Sequence, residues 1–507
     1  MNLNKIRIIF IILALLTLSC DNPVNHTIKP QANNLQHYKK KYQLAYAHYK
    51  QPKDSLKIKA LDFIIKNLDD QFYFEGKSLQ NYEKSIYLTK NKSAEILNNQ
   101  LDSISQIYGH TYTQIRDDKV IDNTFLINNI DEAFASWDYK WSKQISFTEF
   151  CEYILPYKAG DEMPQYWRQT VKNEFKKLSD SLKNCANLIE VTNRVNHHLF
   201  WYKKAVDYDY PVDVGYKLIK EIGIGSCAAT TKFTLFPMRA LGLPVVIDYT
   251  PAWGNRSGGH YWNALVVNGK TFTFQGAEAD IGDTKTQFKV VNQMYYKLAK
   301  VFRKTYSKQQ SSLAENKVNE AIPAIFENKR IRDVTSDYVP VADVVLSFQE
   351  KIPKNKFAYL CTFDNIDWIP VFWGMKTDDK ITFKNMGLDM LYLPTAFQIN
   401  KLVPIGNPFI LSKTGLVTQI ILNNTARQSL LLTRKYPDDD SNKIEIGDKY
   451  ELFYWNNAWQ SLGTKIATQT NLIYHNAPQN ALFVLRDLTK GKQERIFTYE
   501  NNKQIWW

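Results

Sequence analysis

The stretch GSCAATTKFTLFPMRALGLPV, Gly225 to Val245, predicts a helix that begins at or beside a cysteine. A glycine and Ser226 immediately precede Cys227, so the chain can turn sharply there and start the helix. Gly242 and Pro244 are typical residues for the other end of such a helix. The sulfur therefore lies where the positive end of the helix dipole and free backbone N–H groups point.

The residues after this helix predict β-strands. The apolar run VVIDYT, Val245 to Thr250, indicates a buried strand. Two further strands, Tyr261 to Val267 and Thr271 to Gln275, flank the dipeptide Asn268-Gly269. Asn-Gly between two such runs is a strong signal for a two-residue hairpin turn. One helix followed by an antiparallel hairpin is thus expected between residues 210 and 282.

Cys227 has two interpretations, a small core residue or a nucleophile. A thiol attacks as the thiolate, and an unperturbed cysteine is mostly protonated at neutral pH, so a catalytic cysteine needs activation. The predicted helix N-terminus supplies it, and the same backbone amides can hold an oxyanion. Small residues at Ala228 and Ala229 leave room for a substrate beside the sulfur.

His260 is the candidate base. It lies 33 residues after Cys227, follows the loop WGNRSGG, and begins the first strand of the hairpin. A histidine beside a strand is, taken alone, more often a surface or core residue. The catalytic interpretation is favoured because it follows a helix-opening cysteine within one compact segment.

The register of the hairpin selects a third group. A two-residue turn pairs Val267 with Lys270, which makes Gln275 the diagonal neighbour of His260 on the same face of the sheet. Asp280 and Glu278 point to the opposite face of the sheet, and they reach the face of His260 only if a bulge shifts the register by one residue. Gln275 is therefore ranked ahead of Asp280 and Glu278 as the group that orients the imidazole.

These ordered motifs resemble the bacterial transglutaminase-like superfamily: GSC opens a helix, RALGLPV follows it, and GHYWNALVVNGKTFTF comes next. The likeness covers residues 210–282. It implies a papain-like fold with a Cys-His-Asp triad, in which Cys227 is similar to the nucleophile and His260 to the base. This chain has Gln275 where that superfamily usually has aspartate.

The resemblance implies an enzyme that attacks amide bonds through a thioester, with hydrolysis favoured over crosslinking. The expected substrate is a peptide, a protein or a cell-wall amide. The alternative is a catalytically inactive lipoprotein of the same fold that binds peptide or glycan through its core cleft and β-sandwich domains. The two hypotheses differ in the reactivity expected of the Cys227 thiol.

Three further residues are candidates for substrate binding. Trp253 and Arg256 lie on the loop before His260, and Ser226 precedes the nucleophile. The alternative is that these side chains only hold their loops in place and do not contact a substrate. Tryptophans in the C-terminal half could stack on sugars, but sandwich cores also consume tryptophan.

Charge excludes one class of partner. Lys and Arg number 64 against 51 Asp and Glu, giving a net charge of +13. The lysines are scattered among asparagines without the basic block that binds phosphates, which favours a solvated surface over nucleic-acid binding. Attraction to an anionic membrane or cell-wall polymer stays open. Neighbours His197 and His198 point to different faces of a helix, so neither a metal nor another cofactor is expected.

The first residues, MNLNKIRIIFIILALLTLSC, predict a signal for export. Leu18-Ser19-Cys20 resembles a bacterial lipobox, although Thr17 occupies a position that is usually leucine. Lipidation of Cys20 is favoured over ordinary signal cleavage. The expected location is the cell envelope, with the protein tethered to a membrane by lipid. Four further cysteines would then meet an oxidising compartment, and we expect them to be unpaired thiols.

The whole chain of 507 residues predicts an α+β protein of several domains. Helical periodicity dominates the N-terminal part, and short aromatic strands dominate the C-terminal part. The expected divisions are a signal peptide (1–19), a flexible linker (20–36), a helical domain (37–205), the transglutaminase-like core (206–290), a helical connector (291–325), a β-sandwich-like domain (326–425) and a second β-rich domain (426–507).

Overall fold

A computed structural model describes residues 35–89, 93–108, 111–204, 210–283, 296–317, 320–347, 355–437, 442–491 and 494–507. The chain divides into two compact units. The first takes the N-terminal residues through Asp131 together with Tyr157–Tyr166 and Tyr210–Ile222. The second comprises Glu132–Pro156, Trp167–Asp209 and Gly223–Trp507. The expected signal peptide, linker and Cys20 lie outside the described residues.

The described helices are concentrated in the N-terminal half. They are α1 Leu35–Lys41, α2 Gln43–His48, α3 Ser55–Lys66, α4 Lys77–Thr89, α5 Ala94–Tyr108, α6 Asn123–Trp137, α7 Phe147–Glu149, α8 Arg168–Glu174, α9 Lys176–Leu182, α10 Leu188–His197, α11 Tyr216–Ile222, α12 Cys227–Ala240 and α13 Leu313–Asn316. Among the described residues, no helix combines the length and apolar composition needed to cross a membrane.

The first unit contains a buried ion pair at the end of a two-stranded sheet. Strands β1 Phe72–Glu75 and β2 Thr113–Arg116 pair antiparallel. Directly after β2, the carboxylate of Asp117 lies 2.7 Å from the Lys158 ammonium and accepts a hydrogen bond of 2.6 Å from the Tyr157 hydroxyl. Because Asp117 and Lys158 are both buried, each depends on the other for compensation of its charge.

The second unit is centred on an antiparallel sheet of five strands, in the order β7-β6-β5-β8-β9. Its strands are β5 Val245–Thr250, β6 His260–Val267, β7 Lys270–Phe274, β8 Phe302–Lys304 and β9 Ile331–Asp333. A short parallel pair, β3 Lys203–Lys204 and β4 Ile224–Gly225, leads into α12. The predicted hairpin is confirmed: Asn268 and Gly269 have φ values of 50° and 71°, as a two-residue turn between twisted strands requires.

A helical connector is expected over residues 291–325, and this prediction is wrong for the residues of the range that the structure describes. Residues 296–317 form β8 and the single helical turn α13. Phe302 is buried in an apolar cluster with Tyr249, and Arg303 pairs with the carboxylate of Asp248. Adjacent residues of a strand point to opposite faces, so these two contacts require an extended backbone, and they override the helical propensity of the lysine-rich segment.

The C-terminal part of the second unit consists of antiparallel strands. They are β10 Val341–Ser347, β11 Phe357–Phe363, β12 Trp368–Thr377, β13 Lys380–Gly387, β14 Met390–Gln398, β15 Lys401–Pro404, β16 Phe409–Leu411, β17 Val417–Gln419, β18 Asn423–Leu432, β19 Lys449–Trp455, β20 Trp459–Ile466, β21 Leu472–Gln479, β22 Phe483–Asp487, β23 Ile496–Glu500 and β24 Lys503–Trp506. Strands β10–β17 form one sheet, β18 pairs with β21, and the others form a five-stranded sheet. The α+β class with a β-rich C-terminus is confirmed.

Candidate functional site

Cys227 is the first residue of α12, as the sequence predicts. Ser226 is the N-cap in an extended conformation, and its hydroxyl accepts a hydrogen bond of 3.4 Å from the Ala229 amide. The Cys227 side chain is half-buried, as are those of Ala228 and Ala229. Ser226 is buried and its oxygen caps the helix, so its observed role is to start α12.

Glycines before the cysteine are required by the local geometry. A Cβ on Gly225 would lie 2.6 Å from both the Cβ of Ala229 and the hydroxyl oxygen of Tyr202. Gly223 has a φ of +69°, a conformation that side chains disfavour. The sharp entry into α12 therefore depends on residues without side chains.

His260 opens β6, and its ring contacts the side chain of Gln275. His260 Nε2 and Gln275 Oε1 are 3.1 Å apart. An amide oxygen only accepts hydrogen bonds, so Nε2 carries the proton and Nδ1 is left with its lone pair. In this tautomer the imidazole can accept a proton at Nδ1.

The strand register explains why Gln275 reaches the ring. Val267 pairs with Lys270 and Asn263 with Phe274, which is the pairing expected from the two-residue turn. Gln275 follows β7 directly, diagonal to His260, and is only 5% exposed. Its amide nitrogen is buried and has no hydrogen-bond partner among the described residues.

Asp280 and Glu278 have other surroundings. Asp280 Oδ1 accepts a hydrogen bond of 2.9 Å from the side-chain amide of Asn196 on α10. The same Asn196 donates to the carbonyl of Ala279 at 3.0 Å and accepts from the Ala277 amide at 2.8 Å. Glu278 is exposed. Asn196 therefore holds the segment after β7 on α10, and the oxygen seen at the His260 ring is that of Gln275.

Two indole rings flank His260. The Trp253 ring centroid lies 5.9 Å from that of the imidazole at an interplanar angle of 25°, and the Trp262 centroid lies at 6.0 Å and 28°. Trp253 is only 4% exposed, so it forms a wall of the site and not an open platform for a ligand. The indole rings restrict the orientation of the imidazole.

Arg256 is tied to the same wall. Its guanidinium lies 4.4 Å from the centroid of the Tyr296 ring, and the Tyr296 ring lies 4.7 Å from that of Trp253. Arg256, Tyr296, Trp253 and His260 thus form a continuous stack. The substrate-binding role expected for Trp253 and Arg256 stays a prediction; the structure shows Trp253 beside the imidazole and Arg256 joined to Trp253 through Tyr296.

A buried polar network lies behind Trp262. Trp262 donates to the Tyr338 hydroxyl at 3.0 Å, and Tyr338 donates to Asp248 Oδ2 at 2.5 Å. Arg303 donates to both oxygens of Asp248, at 2.9 and 2.7 Å. Burial and the Asp248 charge raise the pKa of Tyr338 well above its ordinary value, so the hydroxyl stays protonated and can donate. Sequence reasoning missed this network, although an aspartate within the apolar run VVIDYT was a signal for a buried partner.

The helix that carries Cys227 packs on the strands that carry His260. Asn263 on β6 donates to the carbonyl of Thr231 on α12 at 3.2 Å and to the carbonyl of Val246 on β5 at 3.1 Å. Thr231 is four residues after Cys227, one turn further along α12. A Cβ on Gly276 would lie 2.2 Å from Thr234 Oγ1, so helix and hairpin are in close contact here.

The other cysteines have different environments. No disulfide joins any two of the four described cysteines, Cys151, Cys185, Cys227 and Cys361. Burial raises the pKa of the Cys151 and Cys361 thiols to about 12. Those two thiols are protonated at neutral pH and are unsuited to nucleophilic attack.

Comparison with known proteins identifies no family for this chain. No family model matches the chain, and no curated protein matches it significantly.

Proposed function

We propose that this chain is an exported, lipid-anchored cysteine hydrolase with a transglutaminase-like core that cleaves amide bonds of peptides, proteins or cell-wall material. The contact between His260 and Gln275 carries the proposal, because it sets the tautomer that a general base needs. The position of Cys227 at the start of α12 supports it, since a helix N-terminus favours a thiolate.

In the proposed reaction, His260 Nδ1 takes the proton of the Cys227 thiol, and the sulfur attacks the carbonyl carbon of the substrate amide. Amides in the first turn of α12 stabilise the oxyanion that forms. The imidazolium then gives its proton to the leaving amine, and the C–N bond breaks to leave a thioester. His260 next takes a proton from a water molecule, whose oxygen attacks the thioester carbon. The C–S bond then breaks to release the carboxylic acid, and the imidazolium returns its proton to the Cys227 sulfur.

Gln275 gives this site an unusual charge balance. Its amide oxygen orients the ring, but it has no negative charge to stabilise an imidazolium. The flanking faces of Trp253 and Trp262 supply part of that stabilisation, as cation–π contacts do. We therefore expect a slower enzyme than one with aspartate at this position.

Thiol reactivity tests the catalytic role. Site-resolved alkylation with iodoacetamide should modify Cys227 faster than Cys185, and His260→Ala should slow the Cys227 reaction at neutral pH by roughly 10- to 100-fold, because an unactivated thiol is still a few per cent thiolate. Cys227→Ala should abolish hydrolysis of amide substrates. Equal Cys227 alkylation rates in the parent and His260→Ala proteins would show that His260 does not activate the Cys227 thiol.

Disulfide trapping tests the geometry directly. In His260→Cys, mild oxidation should join positions 227 and 260, because a disulfide forms only when the two Cα atoms are within about 7 Å. Tyr261→Cys is the matched control, since adjacent strand residues point to opposite faces. If the control forms the bond and His260→Cys does not, the sulfur and the imidazole do not face one cleft.

A second candidate function is a catalytically inactive lipoprotein that binds peptide or glycan. The uncharged Gln275 beside His260 favours it, because a binding site has no need to stabilise an imidazolium. A parent protein with a slow Cys227 thiol, no amidase activity, and retained binding of peptide or glycan would select this function.

The lipid anchor is a separate proposal that rests on Cys20. Cells fed with labelled palmitate should incorporate it into the parent chain and not into Cys20→Ala. Label in Cys20→Ala would mean that the lipid is attached to another residue. An unlabelled parent protein would contradict the proposed lipid anchor.

A further inference from the structure

Arg495, at the start of the last hairpin, is a buried cation. Only 1% of the residue is exposed. Its guanidinium donates to the main-chain oxygens of Phe363 and Trp507 and, at 3.1 Å, to the side-chain oxygen of Asn365. A guanidinium has five N–H donors in a rigid plane, so it can fix several carbonyls at set angles.

The remaining contact of this guanidinium reaches the loop beside His260. Arg495 Nη2 donates to the carbonyl of Gly254 at 2.6 Å, across 241 positions of sequence. Gly254 is also held from other directions: its amide donates to the Lys297 carbonyl at 2.7 Å, and a Cβ on it would lie 2.0 Å from the sulfur of Met390. The loop is thus enclosed by residues of the C-terminal sheets.

Gly254 is adjacent to Trp253, whose ring flanks the imidazole. The Trp253 amide donates to the Gly258 carbonyl at 3.0 Å, which closes the loop on itself. Because the loop is closed and Trp253 is buried against His260, a displacement of Gly254 moves the indole. The C-terminal hairpin and the imidazole are therefore linked by one chain of contacts.

We propose that Arg495 is a positioning residue for the Cys227–His260 site, which it serves by holding the Gly254 carbonyl and thereby pressing Trp253 against the His260 ring. This inference rests on the proposed function for its catalytic consequence, and on geometry alone for its effect on the ring. On this proposal the last β-hairpin helps to position the catalytic residues, in addition to any role in binding ligands.

Substituting Arg495→Met removes the donors and keeps a long apolar side chain. The matched control is Lys435→Met, which removes another buried cation of the same β-rich region, one that is paired with Asp487. Both variants should lower the midpoint of urea unfolding. Only Arg495→Met should change the His260 site.

The primary measurement is NMR of protein labelled at histidine, with the His260 signals assigned through His260→Gln. Trp253 shifts those signals through its ring current, so Arg495→Met should move them and change the pH at which the ring titrates, whereas Lys435→Met should leave both unchanged. Alkylation of Cys227 should slow by roughly 2- to 10-fold in Arg495→Met, less than in His260→Ala, because the imidazole is displaced and not removed.

A folded Arg495→Met protein with parent His260 signals would overturn the inference. If that variant does not fold, Gly254→Ala displaces the same loop from the other side, and Gly254→Ala with Met390→Ala should return the signals towards the parent values. Unchanged signals in Gly254→Ala would equally overturn it. Because these signals do not depend on turnover, the result is separate from a failure of Cys227 to react.

Discussion

Gln275 accepts a hydrogen bond from His260 across the β6–β7 hairpin, with 3.1 Å between Oε1 and Nε2. The amide fixes which ring nitrogen carries the proton and contributes no charge. The transglutaminase-like core that we propose for this region would usually have a carboxylate at that position. The proton chemistry of the site should therefore respond strongly to a charge placed at position 275.

Gln275→Glu should make Cys227 reactive at lower pH. A carboxylate beside the ring raises the pKa of His260, so the imidazolium persists to higher pH, and the imidazolium lowers the pKa of the neighbouring thiol. The pH profile of Cys227 alkylation measures the change. Asp280→Asn, which alters a carboxylate bound to α10, is the control and should leave the profile in place. If Gln275→Glu leaves the pH profile of Cys227 alkylation unchanged, position 275 does not influence the reactivity of the thiol.

Asp248→Asn should destabilise the second unit strongly. Arg303 would stay buried with only the more distant carboxylate of Asp337, 3.5 Å from Nη2, and losing the main partner of a buried ion pair costs up to about 3–5 kcal/mol. Urea unfolding measures the loss. Lys176→Ala breaks an exposed ion pair with Asp180 and should give no detectable change. A small effect of Asp248→Asn would mean that Asp337 or water compensates for the lost partner.

Asn263→Ala should weaken the contact between helix α12 and the sheet. It removes the side-chain donor to the carbonyls of Thr231 and Val246, and each lost hydrogen bond costs about 0.5–1.5 kcal/mol. The free energy of unfolding should fall by the sum of these costs, and Cys227 alkylation should slow as α12 shifts. Asn173→Ala, at an exposed site, is the control. If Asn263→Ala leaves the rate of Cys227 alkylation unchanged, the reactivity of the thiol does not depend on this contact between α12 and the sheet.

The buried thiols should respond to pH in a defined direction. The folded-state pKa of Cys151 and Cys361 is about 12, raised by burial from an ordinary value of 9.0. Below pH 9 both thiols are neutral in the folded and unfolded chains, so stability is unaffected. Above pH 9 the unfolded chain loses these protons first, and stability falls until about pH 12. Replacing both cysteines with alanine should flatten this part of the stability profile, and an identical slope in the variant would assign the loss to other groups.

The local part of the site was predictable from sequence. Asn268-Gly269 determines the turn, the turn determines the register, and the register places Gln275 diagonal to His260. The start of α12 followed equally from the residues before Cys227. In both cases the decisive contacts join residues close in sequence, where backbone preference dominates.

The wrong or missed features all depend on contacts between distant residues. The contact of Trp253 with Tyr296 and the bond from the Gly254 amide to the Lys297 carbonyl were missed, and the substrate-binding role of Trp253 stays a prediction. The segment around Phe302 and Arg303 carried helix-forming lysines, yet its partners on β5 make it a strand. No local pattern reveals a partner 55 or 241 positions away, as for Arg303 with Asp248 and Arg495 with Gly254.

The first compact unit is assembled from three separated lengths of chain, the last of which is Tyr210–Ile222. During synthesis this unit stays incomplete until Ile222 has emerged, and the next helix to appear is the one that begins with Cys227. A truncated chain that stops at Asp131 or at Asp209 would lack part of its own interior and should be prone to proteolysis. Connectivity thus imposes an order on synthesis, in which Cys227 emerges only after the last residues of the first unit.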